Sequence, residues 1–136
     1  MEKNKVICDT DVLIDYFDST KTRHSQSKEI IDNKIGIDNV VLSAISKMEL
    51  IAGAANKAEL RVLNKNISRL NILLINPEIT STAIRLIENY KLSYGIDIPD
   101  ALIAATAMYA DLKLFTYNIK HYKFINDLML YGAIDQ

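Results

Sequence analysis

The sequence predicts an α/β sandwich around a parallel sheet, and three observations carry that expectation. Short apolar runs rich in Val, Ile and Leu recur along the chain, and stretches with helical spacing separate them. Alternation of this kind places strands side by side in one sheet with helices on its faces. In addition, polar residues stand directly behind two of the runs, where such sheets bind ligands outside the carboxyl ends of their strands.

The elements follow in order. Lys5 to Cys8 reads as a short buried strand, and Val12 to Phe17 as a helix start after a turn at Asp9 to Asp11. Ser27 to Asn33 has helical spacing. A second strand is expected around Val40 to Leu42, and Ser43 is a good N-cap for the helix after it. In that helix Ile45, Met48, Glu49 and Ala52 share one face, and Gly53 marks its end. Ala58 to Leu70 is a basic amphipathic helix, and Ile72 to Ile75 a third strand. Asn76-Pro77 opens a helix that should run to about Tyr94, where Gly95 stops it. The next helix begins at Ile98-Pro99-Asp100 and runs to about Asp111. Leu112 to Thr116 is a fourth strand, and a short tail strand is expected within Asp127 to Tyr131.

The whole chain, 1–136, reads as one domain, since 136 residues suit one core and no linker or repeat interrupts them. A formal net charge of -1 excludes a uniformly basic nucleic-acid coat, so any such partner needs a local basic patch, a metal ion or both. The single cysteine, Cys8, permits no intramolecular disulfide and sits inside an apolar strand. The first residues are too polar for a signal-peptide core, and no apolar stretch approaches the ~20 residues of a membrane helix. The expected location is cytoplasmic.

The chemistry rests on polar residues in unusual places. Asp9 follows Val-Ile-Cys directly. Glu49 stands on an apolar helical stripe, where a carboxylate is either partly desolvated or at the edge and hydrated. Asp100 occupies the first turn of its helix, favoured there by the macrodipole, yet shares a face with Ile103, Ala104 and Ala107. Asp97 is the better simple cap and a peripheral member of the acidic set. Asn118 follows the fourth strand, and Thr116 is placed to orient a neighbouring carboxylate. Acidic groups that converge repel one another unless a cation neutralises them, and a hard divalent ion such as Mg²⁺ or Mn²⁺ suits oxygen ligands. No Cys/His spacing points to zinc. His24 is expected to be an exposed loop residue, and His121 either surface or a substrate contact. Lys57, Arg61, Lys65 and Arg69 recur along one helix, and Lys120, His121 and Lys123 follow Asn118. They form either a solvated face or an RNA-binding patch.

The blocks "VICDTDVLID", "LSAISKMELIAGA", "IPDALIAATA" and "LFTYNIKHYKFI", in this order and at these intervals, resemble a PIN-domain nuclease. More narrowly they resemble the VapC-type toxins of toxin–antitoxin pairs. The resemblance runs from about Val6 to Ile125. It implies a three-layer α/β/α sandwich with a central, mostly parallel sheet of about four to five short strands. It also implies acidic or amide site positions at Asp9, Glu49, Asp100 and Asn118, with Thr10 and Thr116 lining the pocket. The activity it implies is Mg²⁺- or Mn²⁺-dependent hydrolysis of phosphodiester bonds in cellular RNA of the tRNA or rRNA class. Asp9 and Asp100 would hold the metal, with Glu49 acting directly or through water. The implied partners are RNA, a cognate antitoxin that blocks the pocket, and a second copy in a homodimer. The Asp15 to Phe17 and Ala44 to Ala55 regions would supply the antitoxin groove. Asp11 departs from the usual residue at its position, and Asn118 stands where Asp is also found. Two other readings fit part of the sequence. Asp9-Thr10-Asp11-Val12 matches the motif of a haloacid-dehalogenase-like phosphatase, and a non-catalytic PIN-like binding module would need none of the acids for chemistry.

Overall fold

Four parallel strands form the centre of the molecule in the order β3-β2-β1-β4. The computed structural model describes residues 4–132, so Met1 to Lys3, part of the segment read against a signal-peptide core, lie outside the described residues. The strands are β1 (Val6–Cys8), β2 (Val40–Ser43), β3 (Asn71–Leu73) and β4 (Lys113–Phe115). β1 is central, paired with β2 on one side and β4 on the other. Its position explains its composition, because Ile7 and Cys8 are completely buried and a strand covered on both faces has no polar side.

Side chains alternate across the sheet and feed two separate cores, which makes the layering three deep. Ile7, Val41 and Leu114 face α5 (Pro77–Tyr94) and α6 (Ile98–Ala110). Val6, Cys8, Val40, Leu42 and Phe115 face the opposite layer. That layer contains α1 (Thr10–Phe17), α2 (His24–Glu29), α3 (Ala44–Ala52) and α4 (Lys57–Ile67). Small residues of α6 (Ala101, Ala104, Ala105 and Ala107, each fully buried) let its backbone lie close to the sheet.

Local signals set the helix ends as read from the sequence. Ser43 accepts a hydrogen bond from Ser46 N, and Asn76 from Ile79 N with Pro77 behind it. Gly95 ends α5 at φ 74°, a left-handed conformation that costs glycine nothing.

Three expectations need correction. The helix predicted over Ser27 to Asn33 begins earlier, at His24, and widens into a π-helical turn over Ile30–Ile35. The wider turn buries Ile30, Ile31 and Ile35 together. His24 is therefore not a loop residue; it opens α2, half-buried, with Nδ1 2.9 Å from the Asp15 carbonyl oxygen. The tail strand expected within Asp127 to Tyr131 is reduced to a single bridge between Leu130 and Leu114, leaving four strands.

Candidate active site

The chain passes from β1 to β2 to β3 on one side of the sheet, then returns to place β4 on the other side of β1. The strand order therefore reverses between β1 and β4, and a crevice opens beyond their carboxyl ends. Asp9 N donates to the Phe115 carbonyl oxygen at 2.9 Å and fastens the two strand ends together. Asp9 lies on one lip of this crevice and Thr116 on the other.

Asp9 is buried, with 5 % of its surface exposed. One carboxylate oxygen accepts from Thr10 N at 2.7 Å, which caps α1. The other accepts from Thr116 Oγ1 at 2.8 Å, and Thr116 Oγ1 in turn accepts from Asn118 N at 3.0 Å. Asp100 enters from the first turn of α6, where Asp97 caps the helix by accepting from Asp100 N at 3.0 Å. Asp100 Oδ1 accepts from the Tyr122 hydroxyl at 3.0 Å, and Oδ2 lies 3.4 Å from His121 Nδ1. The Tyr122 hydroxyl also lies close enough to Asp9 to favour its ionised form.

Glu49 reaches the same rim from α3. Thr10 Oγ1 donates to Glu49 Oε1 at 2.5 Å and lies 2.9 Å from Ser46 Oγ. The desolvated position offered by the stripe does not materialise. Glu49 is exposed, as is Met48 at 58 %, and α3 buries Ala44, Ser46 and Leu50 instead. Asn118 is also exposed; its backbone, rather than its side chain, engages Thr116.

Burial dominates the electrostatics. It raises the Asp9 carboxyl above its ordinary value, with the Glu49 charge adding to the shift and the Thr116, Thr10 and Tyr122 donors opposing it. Asp100 is pushed up to about 6, first by burial and then by the charges of Asp97 and Asp9. Asp11 also rises to about 6, through burial and the neighbouring Asp9 charge. Among the described residues Asp9 has no ion-pair partner. Buried Asp9 and half-buried Asp100 repel one another, and a bound cation would relieve that repulsion. The helices α1, α3 and α6 all begin at this rim, so their positive ends favour an anionic substrate as well.

The donors are all oxygens, which suits Mg²⁺ or Mn²⁺. Among the described residues no three His, Cys, Asp or Glu side chains form a ready-made cage. Mg²⁺ is ordinarily held by one or two carboxylates with waters and substrate phosphate, so a carboxylate pair fits it.

Asp11 takes a structural role. Its two oxygens accept from Val12 N at 2.7 Å and Tyr117 N at 3.1 Å, tying α1 to the loop after β4. Tyr122 was not singled out by the sequence. Its burial at 1 % exposure is what an aromatic near a core run suggests, but nothing in the sequence aims its hydroxyl at two carboxylates. The basic row of α4 runs away from the site, because Arg69 precedes the start of β3 at the opposite end of the sheet.

This crevice, with carboxylates from β1 and α6 and a hydroxyl network from the β4 loop, defines the class. The chain belongs to the PIN-domain family, whose model matches residues 6–125. It is 31 % identical over 123 residues to Ribonuclease VapC19 of Mycobacterium tuberculosis, covering 90 % of this chain and 95 % of that protein. It is 29 % identical over 130 residues to Ribonuclease VapC1 of Methanocaldococcus jannaschii, covering 95 % and 87 %. Among solved structures, a toxin–antitoxin complex from Klebsiella pneumoniae matches with a TM-score of 0.73 and 28 % identity, covering 92 % of this chain and 96 % of that one. DNA-bound VapBC from Salmonella typhimurium matches in fold with a TM-score of 0.75 at 22 % identity, covering 93 % and 96 %.

Proposed function

We propose that this protein is a metal-dependent endoribonuclease and the toxin of a toxin–antitoxin pair. The observation that carries the proposal is the convergence, at the β1/β4 crevice, of buried Asp9 with Asp100, which accepts from the Tyr122 hydroxyl. The VapC ribonucleases among its relatives support the choice of RNA as substrate.

Asp9 and Asp100 would hold Mg²⁺ or Mn²⁺, with Glu49 reaching the ion through water. A bound ion supplies charge stabilisation to the phosphate and polarises an attacking water. The chain's own residues do the rest. Thr116 and Thr10 N fix the Asp9 carboxylate, and Tyr122 fixes that of Asp100. Glu49, steadied by Thr10, is placed to receive the proton of the attacking water. Lys120 and His121 and the helix ends offset phosphate charge. In-line attack leaves a 5′-phosphate and a 3′-hydroxyl.

A groove beside Glu49 fits the antitoxin. Ile14, Phe17, Leu50, Gly53 and Leu63 line a cleft of about 310 Å³, and Val62 lies beyond it at 60 % exposure. The structural relatives include toxin–antitoxin complexes. A partner segment with an apolar face would bury this surface and end at the acidic rim. Leu92, 98 % exposed on α5, and Ile84 at 53 % are apolar surface that a homodimer would cover. Expression should arrest growth, and Asp9→Ala or Asp100→Ala should relieve the arrest. Arrest that persists in both variants at equal protein level would reject catalytic toxicity.

A further inference from the structure

A second feature opens from the same rim. Beside Asp100 lies a cleft of about 140 Å³ whose wall carries Tyr94, Asp97, Lys120, His121 and Phe124. The Tyr94 and Phe124 rings are parallel, 1° apart in plane, with centroids 4.5 Å apart. Offset stacking of this kind is an ordinary aromatic geometry, and Tyr90 meets Phe124 tilted, at 5.3 Å and 57°. Tyr90 packs against both Phe124 and Tyr94, its centroid 6.1 Å from that of Tyr94, and Tyr94 is 60 % exposed. The stack ends in an open aromatic ring.

Its place in the chain keeps it there. Tyr94 is the last residue of α5, and Gly95 turns the backbone away at once. Phe124 follows the short 3-10 turn Ile119–His121 that also carries Lys120 and His121. An aromatic face, a lysine and an imidazole therefore share one cleft with a carboxylate of the proposed active site.

From this arrangement we propose that the Tyr94–Phe124 stack is a platform for the nucleobase adjoining the scissile phosphate of a single-stranded RNA. The inference rests on the ribonuclease reading and specifies its substrate. A base can stack on Tyr94 only when it is free of its own helix, so the platform selects loops and unpaired segments over duplex. Lys120 lies where the flanking phosphate would pass. Stacking accepts any base face, so the platform gives strand-type selectivity and leaves base identity to other contacts.

The test uses the full-length chain carrying Asp9→Asn, so that RNA stays intact, and short single-stranded RNA containing 2-aminopurine. Tyr94→Ala is expected to weaken binding about tenfold and to abolish the fluorescence quenching that stacking produces. Tyr94→Phe and Tyr94→Trp should retain both. Replacing the stacked nucleotide with an abasic one should remove the difference between Tyr94 and Tyr94→Ala. In the active background, Tyr94→Ala should raise KM more than it lowers kcat. Unchanged binding and quenching in Tyr94→Ala would overturn the platform. So would an equal loss in Tyr94→Phe with a lowered Tm, or a change of oligomeric state in Tyr94→Ala, which would assign the ring to packing or to a second copy. If the unsubstituted protein cleaves RNA while Tyr94→Ala leaves KM unmoved, the platform fails and the ribonuclease stands. If it neither binds nor cleaves RNA, both fail.

Discussion

Asp9 caps α1, and the proposed site would give the same side chain a chemical task beside Asp100. Its environment makes the chemical task costly to the fold. Asp100 has a folded-state pKa of about 6 against an ordinary 3.8, so its ionisation opposes folding. That penalty is absent below about pH 4, grows as pH rises to about 6 and is complete above it. Without metal, Asp100→Asn should therefore raise Tm by a few degrees at pH 7.5 and leave it nearly unchanged at pH 4, as calorimetry in EDTA would show. The same substitution should lower cleavage at least about 100-fold. With metal subsaturating, cleavage by the unsubstituted protein should fall as the pH drops below about 6, where a proton competes with the ion for Asp100. Tyr122→Phe removes a donor that favours ionised Asp9 and Asp100, so the acid limb of the pH–rate profile should move to higher pH. An unmoved limb would deny the hydroxyl any hold on the Asp100 carboxylate. Asp9 and Asp100 were legible in the sequence because a carboxylate is out of place at a buried strand end or on an alanine-rich helix face. Tyr122 was not, because hydrophobic periodicity registers a buried ring and says nothing of where its hydroxyl points.

Among the elements, helix boundaries were the most readable, and the reasons are local. Asn76-Pro77 and Gly95 bound α5 as expected because capping and left-handed turns depend on a few adjacent residues. Gly95→Ala should cost about 1 kcal/mol, seen as a lower denaturant midpoint, because no atom lies within 4 Å of the added Cβ and only the backbone conformation is penalised. A large loss would point to a steric clash that the structure does not contain. The π-helical turn after α2 was not legible, since its spacing follows from how three isoleucines meet the sheet. The face of α3 was misread for a similar reason. Ser46, small and buried, faces inward to meet Thr10 and Ser43, which turns Met48 and Glu49 outward. The tail pairs with β4 only at Leu130, a long-range outcome that a short apolar run cannot announce.

For the whole molecule, the three-layer fold places the acidic crevice at one end of the sheet and the apolar groove of α1, α3 and α4 along its flank. The two surfaces meet at Glu49. An antitoxin seated in the groove would reach the carboxylates without altering them. Val62→Asp is accordingly expected to leave RNA cleavage unchanged while growth arrest is no longer relieved by the co-expressed antitoxin. Relief equal to that of the unsubstituted protein would place the partner elsewhere. No helix among the described residues is long and apolar enough to cross a membrane, in line with the composition.

The central claim is that the Asp9–Asp100 pair cleaves RNA with the help of a divalent ion. Its most direct test is incubation of purified protein with structured and single-stranded RNA in Mg²⁺ or Mn²⁺, with end-group analysis of the products and a phosphate monoester in parallel. The expected products are fragments with 5′-phosphate and 3′-hydroxyl ends, abolished by EDTA and by Asp9→Asn, with no turnover of the monoester. Intact RNA together with monoester hydrolysis, or RNA cleavage that survives both EDTA and Asp9→Asn, would contradict the claim.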